Sequence, residues 1–482
     1  MLDEATLSRA LEAARAAGAD YAEARGEAQQ RSTIAARDGA VGALNTVTDA
    51  GWGIRVAVAT PGGGGWGFAA TDRWDADAAA ATARQAVEIA HASATARRTP
   101  FSLEGLPTVT GTYVTPHDRD PLNVPAEEQL AMLIAATNGL RAANPRVVAA
   151  SAGIRAWHTD KRFINTQGAD VRQTIIECEG SLGATAQDDS GYTYHRSLND
   201  MHQAGWEFIE RMALVAEASR VGHEAGELVA APWAPEGPQT VVLGDAMVAL
   251  LIHESCGHPT ELDRVLGWEA AFAGTSFLMP PMLGSFRYGS PHVSIVADST
   301  TPEGLGTFGW DDEGTPAQRW DVVRDGMFVG YLTNRESAAA LGQRSNGCGR
   351  ASGWERMPIV RMVNVSLQPG TGSFDDLIAG IEDGIYIETP SSWSLDDKRM
   401  NFHFSAELCR EIRHGKLGGY RKGAAFQGRT PDFWGACSGV AGADAWQLHG
   451  FSSCAKGEPL QLAHVAHGAA PIRVDALPIT RG

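Results

Sequence analysis

Two stretches of the first hundred residues space their apolar side chains as helices do. Residues 4–17 place Leu7, Leu11 and Ala14 on one stripe, which predicts an amphipathic helix. An alanine-rich helix is predicted over residues 75–95. Between them the chain alternates apolar and polar residues and turns repeatedly, which predicts a β-meander.

Two tight turns are expected within this meander. Asp38-Gly39 is a hairpin signal. Pro61 with the glycines at 62–65 predicts a second hairpin, between the strands GIRVAVA and WGFAA. The glycine run does not fit a phosphate-binding loop, because neither a Lys-Ser/Thr pair nor a helix start follows it.

A second helix-strands-helix unit follows a segment rich in Pro, Asp and Asn at 115–125, which we interpret as a linker. Its helices are predicted at about 126–143 and 200–225, with strands between them. Three prolines in 230–239 then indicate a domain boundary. The predicted division is an N-terminal α+β region over 1–230, with two such units, and a C-terminal domain over 231–482.

The second half carries mostly strand and turn signals. A short strand, TVVL, and one apolar helix come first, and later segments such as HVSIVAD, GIYIET and NFHFSAEL alternate as strands do. Asp325-Gly326 and Asp383-Gly384 are further turn signals. The predicted fold class is α+β, with an N-terminal helix and β-meander region followed by a strand-rich C-terminal domain.

Composition narrows the class of protein. The 482 residues include 40 Lys+Arg against 57 Asp+Glu, a formal charge of −17 that disfavours nucleic acid as a partner. The six cysteines form no CxxC pair and are expected to be reduced thiols. The acidic, amphipathic start argues against a secretory signal, and no apolar run reaches the roughly 20 residues of a membrane span. The expected location is the cytoplasm, away from the membrane.

The segment LLIHESCGHPTEL, residues 250–262, is the strongest chemical signal. Asp245 is expected to cap a helix whose body, AMVALLI, is apolar on every side and therefore buried. His253 and Glu254 follow at its end. A carboxylate there is costly unless it meets a charge, a metal or a water-filled cleft. The alternative is that both are ordinary surface residues at a helix end.

The five-residue step from His253 to His258 does not suit a regular helix. Residues i and i+5 differ by roughly 140° around the axis, whereas i and i+4 differ by about 40°. Gly257 and Pro259 flank the second histidine and permit a distortion. Either a π-bulge or a helix that ends at Cys256 would bring the two imidazoles together.

A catalytic zinc site needs a third protein ligand. Spacing alone leaves five candidates: Cys256, Glu261, Asp263, Glu269 and Cys454. Cys256 is more often a packed apolar residue than a ligand. The pattern of residues does not choose among the others.

Several sequence blocks together resemble one family. HESCGHPTELD, DDEGTPAQ, DGMFVGYLTNRESA, RMVNVSLQPG, NFHFSAE and CAKGEPLQLAHVAHGAAPIRV occur here in the order typical of the TldD/PmbA metallopeptidase family, in its catalytic TldD-like branch. The opening meander is similar too, so the resemblance covers nearly the whole chain. The C-terminal domain is accordingly expected to be a zinc metallopeptidase domain.

The resemblance implies roles for four residues. His253, His258 and Cys454 would be the Zn²⁺ ligands and Glu254 the catalytic base. His464 and His467 are candidates for contacts with the substrate, although histidines in such strand-turn segments are more often structural. Ala455 departs from the glycines that often follow this cysteine in the family, as do Ser452 and Ser453 before it, which puts substrate contacts there in doubt.

The resemblance also implies the substrate and the partner. Small or unfolded peptides are the expected substrates, and the chain is expected to form a homodimer or a heterodimer with a motif-lacking PmbA/TldE-like homologue. A specialised amide hydrolase acting on a modified peptide or small molecule remains an alternative. A non-catalytic binding subunit is disfavoured by the intact set of four residues.

Overall fold

The computed structural model describes residues 2–60, 63–97, 103 and 107–482, and its first half is built on one seven-stranded sheet. The helices are α1 (Glu4–Ala16), α2 (Ala76–Ala96), α3 (Ala126–Ala143), α4 (Trp206–Met212) and α5 (Leu214–Ala230). The strands are β1 (Tyr21–Arg37), β2 (Ala40–Thr60), β3 (Gly63–Thr71), β4 (Thr110–Val114), β5 (Val147–Asn165), β6 (Asp170–Gln187) and β7 (Thr193–His202). The sheet order is β3-β2-β1-β5-β6-β4, and β7 pairs with β6.

Most elements predicted for this half are confirmed. The stripe of Leu7, Leu11 and Ala14 is buried beneath α1. Asp38-Gly39 joins β1 to β2 with positive φ at both residues. The hairpin of β2 and β3 is also present, although Pro61 and Gly62 at its tip lie outside the described residues.

The predicted helix at 200–225 is wrong at both ends. Strand β7 still pairs with β6 through Cys178 and His202, so residues 200–202 belong to the sheet. The helical segment begins only after Gly205, as α4, and continues as α5 to Ala230. The period of the apolar residues did not reveal where pairing with the sheet ended.

The second half contains one mixed sheet and several small ones. Its helices are α6 (Asp245–Ile252), α7 (Leu262–Val265), α8 (Arg335–Ala340), α9 (Phe374–Ile378) and α10 (Thr430–Gly435). Its strands are β8 (Gly237–Leu243), β9 (Ile295–Asp298), β10 (Arg319–Arg324), β11 (Met327–Phe328), β12 (Gly349–Arg350), β13 (Ile359–Val360), β14 (Val365–Leu367), β15 (Asp383–Leu395), β16 (Asn401–Arg413), β17 (Lys416–Arg421), β18 (Ala424–Arg429), β19 (Cys437–Val440), β20 (Gln447–Lys456), β21 (Gln461–Ala469) and β22 (Ile472–Arg481).

Five strands of the larger sheet close into a ring. The order β15-β8-β22-β18-β16 closes because β16 also pairs with β15. The buried helix α6 belongs to the hydrophobic core shared with these strands, and all of its side chains from Met247 to Ile252 are buried. The prediction of an apolar helix buried on every side is confirmed. In the part of the chain that the structure describes, no helix combines the length and apolar composition that a membrane crossing requires.

One of the two turn predictions in this half is wrong. Asp325-Gly326 joins β10 to β11 with positive φ at both residues, as expected. Asp383-Gly384 instead begins β15, because Gly384 pairs with Thr240 of β8 on one side and Ile412 of β16 on the other.

Buried ion pairs join the two halves. Arg335 of α8 contacts Glu23 of β1 at 2.6 Å, and Arg55 of β2 contacts Glu313 at 2.5 Å. All four side chains are at least nine-tenths buried. Removing one member of a pair would leave the other member's charge buried without a partner, which is costly. These pairs therefore fix the position of the first sheet against the second half.

Helix α2 packs directly on β3 at two glycines. A Cβ on Gly67 would overlap the carbonyl oxygen of Ala86, and one on Gly65 would overlap that of Ala90. Backbone and helix approach this closely only because the strand has no side chains there.

The variant Gly67→Ala is therefore expected to lower the free energy of unfolding by about 1–3 kcal/mol, because the added methyl group forces α2 away from the sheet. Thermal and denaturant unfolding measure the change. Gly435→Ala is the matched control, since among the described residues no atom lies within 4 Å of its added Cβ. Equal stability of the two variants would contradict this account of the packing.

Candidate metal centre

The HESCGH segment forms a single π-helical turn at the end of α6. Residues His253–Gly257 make the turn, and the backbone N–H of His258 donates to the carbonyl of His253. The extra residue in this turn places the two imidazole rings 4.8 Å apart between centroids and perpendicular to each other. Of the two distortions considered from sequence, the structure has the π-bulge.

Buried side chains satisfy the backbone groups that the π turn leaves without helical partners. The Tyr288 hydroxyl donates to the carbonyl of Ser255 at 2.8 Å, and Thr260 Oγ1 donates to the carbonyls of Cys256 and Gly257. Trp434 Nε1 also donates to Ser255 Oγ at 2.9 Å. The turn is thus a fixed part of the core.

The predicted helix cap at Asp245 is wrong. Gly244 is the N-cap residue, and Asp245 is the first residue of α6 without a side-chain capping bond. Its carboxylate accepts instead from His449 Nε2 of β20 at 2.9 Å. A contact with a distant strand thus takes the place of the expected bond to the helix backbone.

Strand β20 brings Cys454 to this turn. The ligand atoms of His253, His258 and Cys454 all lie within 4.8 Å of one another, and all three residues are buried. The Cys454 sulfur lies 3.6 Å from His258 Nε2. Zinc–nitrogen and zinc–sulfur bonds at a tetrahedral angle would separate the two atoms by about 3.6 Å. The donor set and its spacing therefore fit zinc.

Hydrogen bonds fix which nitrogen each histidine presents. His467 Nδ1 donates to the carbonyl of Val365 at 2.7 Å, so its Nε2 accepts from His253 Nδ1 at 2.8 Å. His258 Nδ1 donates to the carboxylate of Glu261 at 2.9 Å. In both ligand candidates Nε2 is then the nitrogen with a free lone pair, which is the form that binds a metal.

Electrostatics favour a thiolate at Cys454 and a neutral imidazole at His258. Burial opposes ionisation of Cys454, but the charges of His253, His258 and Arg361 outweigh it and hold the pKa of the thiol well below its usual value. Burial lowers the pKa of His258 well below its ordinary value. For His253 the neighbouring thiolate outweighs burial and raises the pKa. Arg361 also donates to the Cys454 carbonyl at 2.5 Å, which helps to fix the position of the β20–β21 hairpin.

The other four candidates for a third ligand lie elsewhere. Cys256 packs in the hydrophobic core, as expected for a cysteine that is a packed apolar residue rather than a ligand. Glu261 accepts a hydrogen bond from His258 Nδ1, the ring nitrogen that faces away from the proposed metal position. Asp263 pairs with the buried Lys456 at 2.6 Å. Glu269 does not belong to the cluster found among the described residues.

Glu254 lies beside the cluster and is buried, with its own pair of donors. Trp393 Nε1 donates to Oε1 at 2.7 Å, and Arg399 forms an ion pair with Oε2. Sequence reasoning missed both partners. They lie 139 and 145 residues away on the β15–β16 hairpin, and neither belongs to a motif that would have singled it out.

The two histidines predicted to contact substrate lie in different surroundings. His467 is fully buried with both ring nitrogens bonded to protein, so it supports His253 and has no nitrogen for a substrate. His464 Nδ1 bonds to Glu177 at 2.9 Å, and its ring packs edge-on against Trp157. It lines a cavity of about 370 Å³ between the two halves.

Family models match three segments of the chain. The PmbA/TldA metallopeptidase domain 1 matches residues 22–90, the central domain matches 119–231, and the C-terminal domain matches 236–481, which includes all three metal-ligand candidates. The chain belongs to the PmbA/TldD metallopeptidase family. The resemblance stated from sequence is confirmed.

Individual members of the PmbA/TldD family are distant from this chain in sequence. A Synechocystis metalloprotease is 27% identical over 95% of this chain and 94% of its own. A zinc metalloprotease TldD homolog from Saccharolobus solfataricus is 28% identical over 32% of this chain and 33% of its own. The crystal structure of TldE from Thermococcus kodakarensis has a TM-score of 0.76 at 15% identity and covers 98% of this chain and all of that one. The last similarity shows a shared fold.

Buried charges behind the metal centre lead to a stability prediction. Lys456 is fully buried and donates to Asp263 and to the carbonyl of Val360, each at 2.6 Å. Lys456→Met removes this cation and is expected to lower the free energy of unfolding by about 3–5 kcal/mol, because Asp263 loses its counter-ion. Denaturant unfolding measures the loss.

The exposed Lys416 provides the control, and Lys416→Met is expected to change stability by less than about 0.5 kcal/mol. If Lys456→Met proved as stable as the wild type, Asp263 would have to be protonated in the folded protein. Burial does raise the pKa of Asp263, and Lys456 opposes that effect.

Proposed function

We propose that this chain is a zinc-dependent peptidase of the TldD-like branch that hydrolyses small or unfolded peptides. The observation that carries the proposal is the convergence of His253, His258 and Cys454, with both histidines constrained to present Nε2. Three protein ligands are the number that catalytic zinc sites use. The name of the Saccharolobus relative supports zinc in particular.

Zinc bound by these residues would supply Lewis-acid chemistry, which lowers the pKa of water and polarises a peptide carbonyl. The protein's own contribution is a general base next to the ligands. Glu254 adjoins His253 in the π turn but lies outside the ligand cluster, so its carboxylate would not be a metal ligand and could accept a proton from the attacking water. It would then deliver that proton to the leaving amine.

Trp393 and Arg399 would hold this base in place. Each donates to a different oxygen of Glu254, so the carboxylate cannot rotate without breaking one of the two bonds.

The remaining parts of the proposal concern the substrate, the assembly and the cell. An extended peptide would bind along a free strand edge through its backbone. The active form would be a homodimer or a heterodimer with a PmbA/TldE-like homologue, which the fold shared with TldE supports. We also propose a cytoplasmic location, and a division of the chain into regions 1–230 and 231–482.

Two variants separate metal binding from proton transfer. Glu254→Gln is expected to retain zinc and to lose at least about 100-fold in kcat, since the amide cannot accept a proton. Cys454→Ala is expected to lose both zinc and activity, because only two ligands remain. Metal analysis of the purified proteins and cleavage of a short fluorogenic peptide measure the two effects.

An active Glu254→Gln variant would contradict the role of the base, and an active, zinc-loaded Cys454→Ala variant would contradict the ligand set. Removal of zinc by a chelator should abolish cleavage by the wild type, and added zinc should restore it. A folded test protein should resist the enzyme while its denatured form is cleaved.

The role of His467 gives an independent test that does not depend on cleavage. His467→Ala removes the acceptor for His253 Nδ1 and is expected to weaken zinc binding by about 10–100-fold. Competition with a chromogenic chelator measures the affinity. His464→Ala, three residues away on the same strand, is the matched control and should bind zinc as the wild type does, whereas equal affinities for all three proteins would exclude this supporting role.

A further inference from the structure

A cavity of about 370 Å³ lies where the first sheet meets the second half. Strands β1, β5 and β6 form one side, and loops of the second half together with β21 form the other. The aromatic side chains of Trp157, Phe308 and Trp310 line the cavity. The proposed zinc ligands and Glu254 do not line it. Its volume suits a small ligand or the end of a peptide.

Most charged groups that line the cavity already have partners within the protein. Asp311 accepts from the backbone N–H groups of Glu313, Thr315 and Gly349. Lys161 pairs with Asp312 and lies 3.9 Å from Glu27, and Arg356 pairs with Glu355 at 3.5 Å. Glu177 forms a hydrogen bond with His464 Nδ1 at 2.9 Å. These contacts provide partners for most of the charged side chains that line the cavity.

Two arginines that line the cavity, Arg31 and Arg350, have no carboxylate partner among the described residues, and Arg31 is exposed to solvent. Arg350 is partly buried, and its guanidinium has only neutral partners. It donates to the carbonyl of Met362 at 2.7 Å and to that of Leu305 at 3.4 Å, and it lies 5.9 Å from the ring centroid of Phe308. Within the described part of the chain, no carboxylate lies within ion-pair distance of it. Burial lowers the pKa of Arg350, which is the cost of a cation without a close counter-ion. A planar guanidinium without a counter-ion is suited to bind a carboxylate ligand.

The cavity is next to the metal centre without overlapping it. Ala463 lines the cavity and is the register partner of Cys454 in the β20–β21 hairpin. On the other side, Met362 accepts from Arg350 and packs against Gly257 of the π turn so closely that a Cβ on that glycine would overlap its sulfur. An anion held by Arg350 would therefore lie one residue layer from the ligand set.

We propose that this cavity binds the carboxyl-terminal end of the peptide substrate, with the free α-carboxylate paired to Arg350 and the adjoining side chain against the aromatic wall. The inference rests on the proposed peptidase function and narrows it. A peptide is the substrate class that brings both a terminal carboxylate and apolar side chains, and cleavage would then favour bonds near free carboxyl termini.

The test compares two five-residue peptides that differ only at the carboxyl terminus, a free carboxylate and a carboxamide. The zinc-loaded wild type is expected to show a kcat/KM at least about 10-fold higher for the free acid, the effect of a charge-assisted hydrogen bond. Arg350→Met should bring this ratio close to one, and Arg350→Lys should give an intermediate ratio. Arg324→Met, an exposed arginine paired with Asp321, is the control and should keep the wild-type ratio.

Binding separates this inference from the proposed function. Fluorescein-labelled forms of both peptides are titrated with zinc-loaded Glu254→Gln, and anisotropy gives their affinities. Tighter binding of the acid supports the subsite even if the wild type cleaves neither peptide, an outcome that would overturn the peptidase function alone. Equal affinities, or equal kcat/KM values for the acid and the amide in the wild type, would overturn the subsite.

Discussion

One extra residue in a helical turn brings together the two histidines proposed to bind metal. The π turn at His253–Gly257 aligns two histidines that a regular helix would point in different directions. Such a turn survives only where its displaced backbone groups find partners, and Tyr288 and Thr260 supply them from within the core. The ligand geometry is therefore a property of the packed core rather than of the motif alone.

The charges around this turn form a compensated network. Glu261 accepts from His258 and lies 3.8 Å from Arg264 and 3.6 Å from Lys456. Lys456 in turn pairs with Asp263 and is two residues from Cys454 on β20. Because Glu261 and Asp263 each lie beside a buried cation, the cost of burying these carboxylates is reduced. The same strand thus carries both a proposed ligand and the cation that stabilises its surroundings.

Sequence reasoning succeeded where the determinants were local. Helix α3 was predicted with its observed bounds, because Pro125 begins it and Asn144-Pro145 ends it. It failed where contacts distant in sequence determined the local structure. The carboxylate of Asp245 binds His449 instead of capping the helix, and Gly384 is paired between two strands instead of forming a turn.

The same distinction explains the candidate site. The spacing of His253 and His258 alone opposed a metal pair in a regular helix, and the flanking Gly257 and Pro259 made a distortion that joins them possible. Since 196 residues separate His258 from Cys454, only the family resemblance pointed to the thiol. Arg399, Trp393 and Arg350 carry no local signal at all. Their significance follows from what lies beside them in space.

The metal centre is also connected to the first sheet, which contains none of the proposed ligands. Beyond the π turn, Thr260 and Leu262 bond through their backbones to Leu332, three residues before Arg335. The Arg335 guanidinium pairs with Glu23 of β1. Since breaking this pair would leave a charge buried without a partner, the first sheet cannot move away without disturbing the segment that supports the π turn. The first half therefore helps to hold the turn that carries two of the proposed metal ligands.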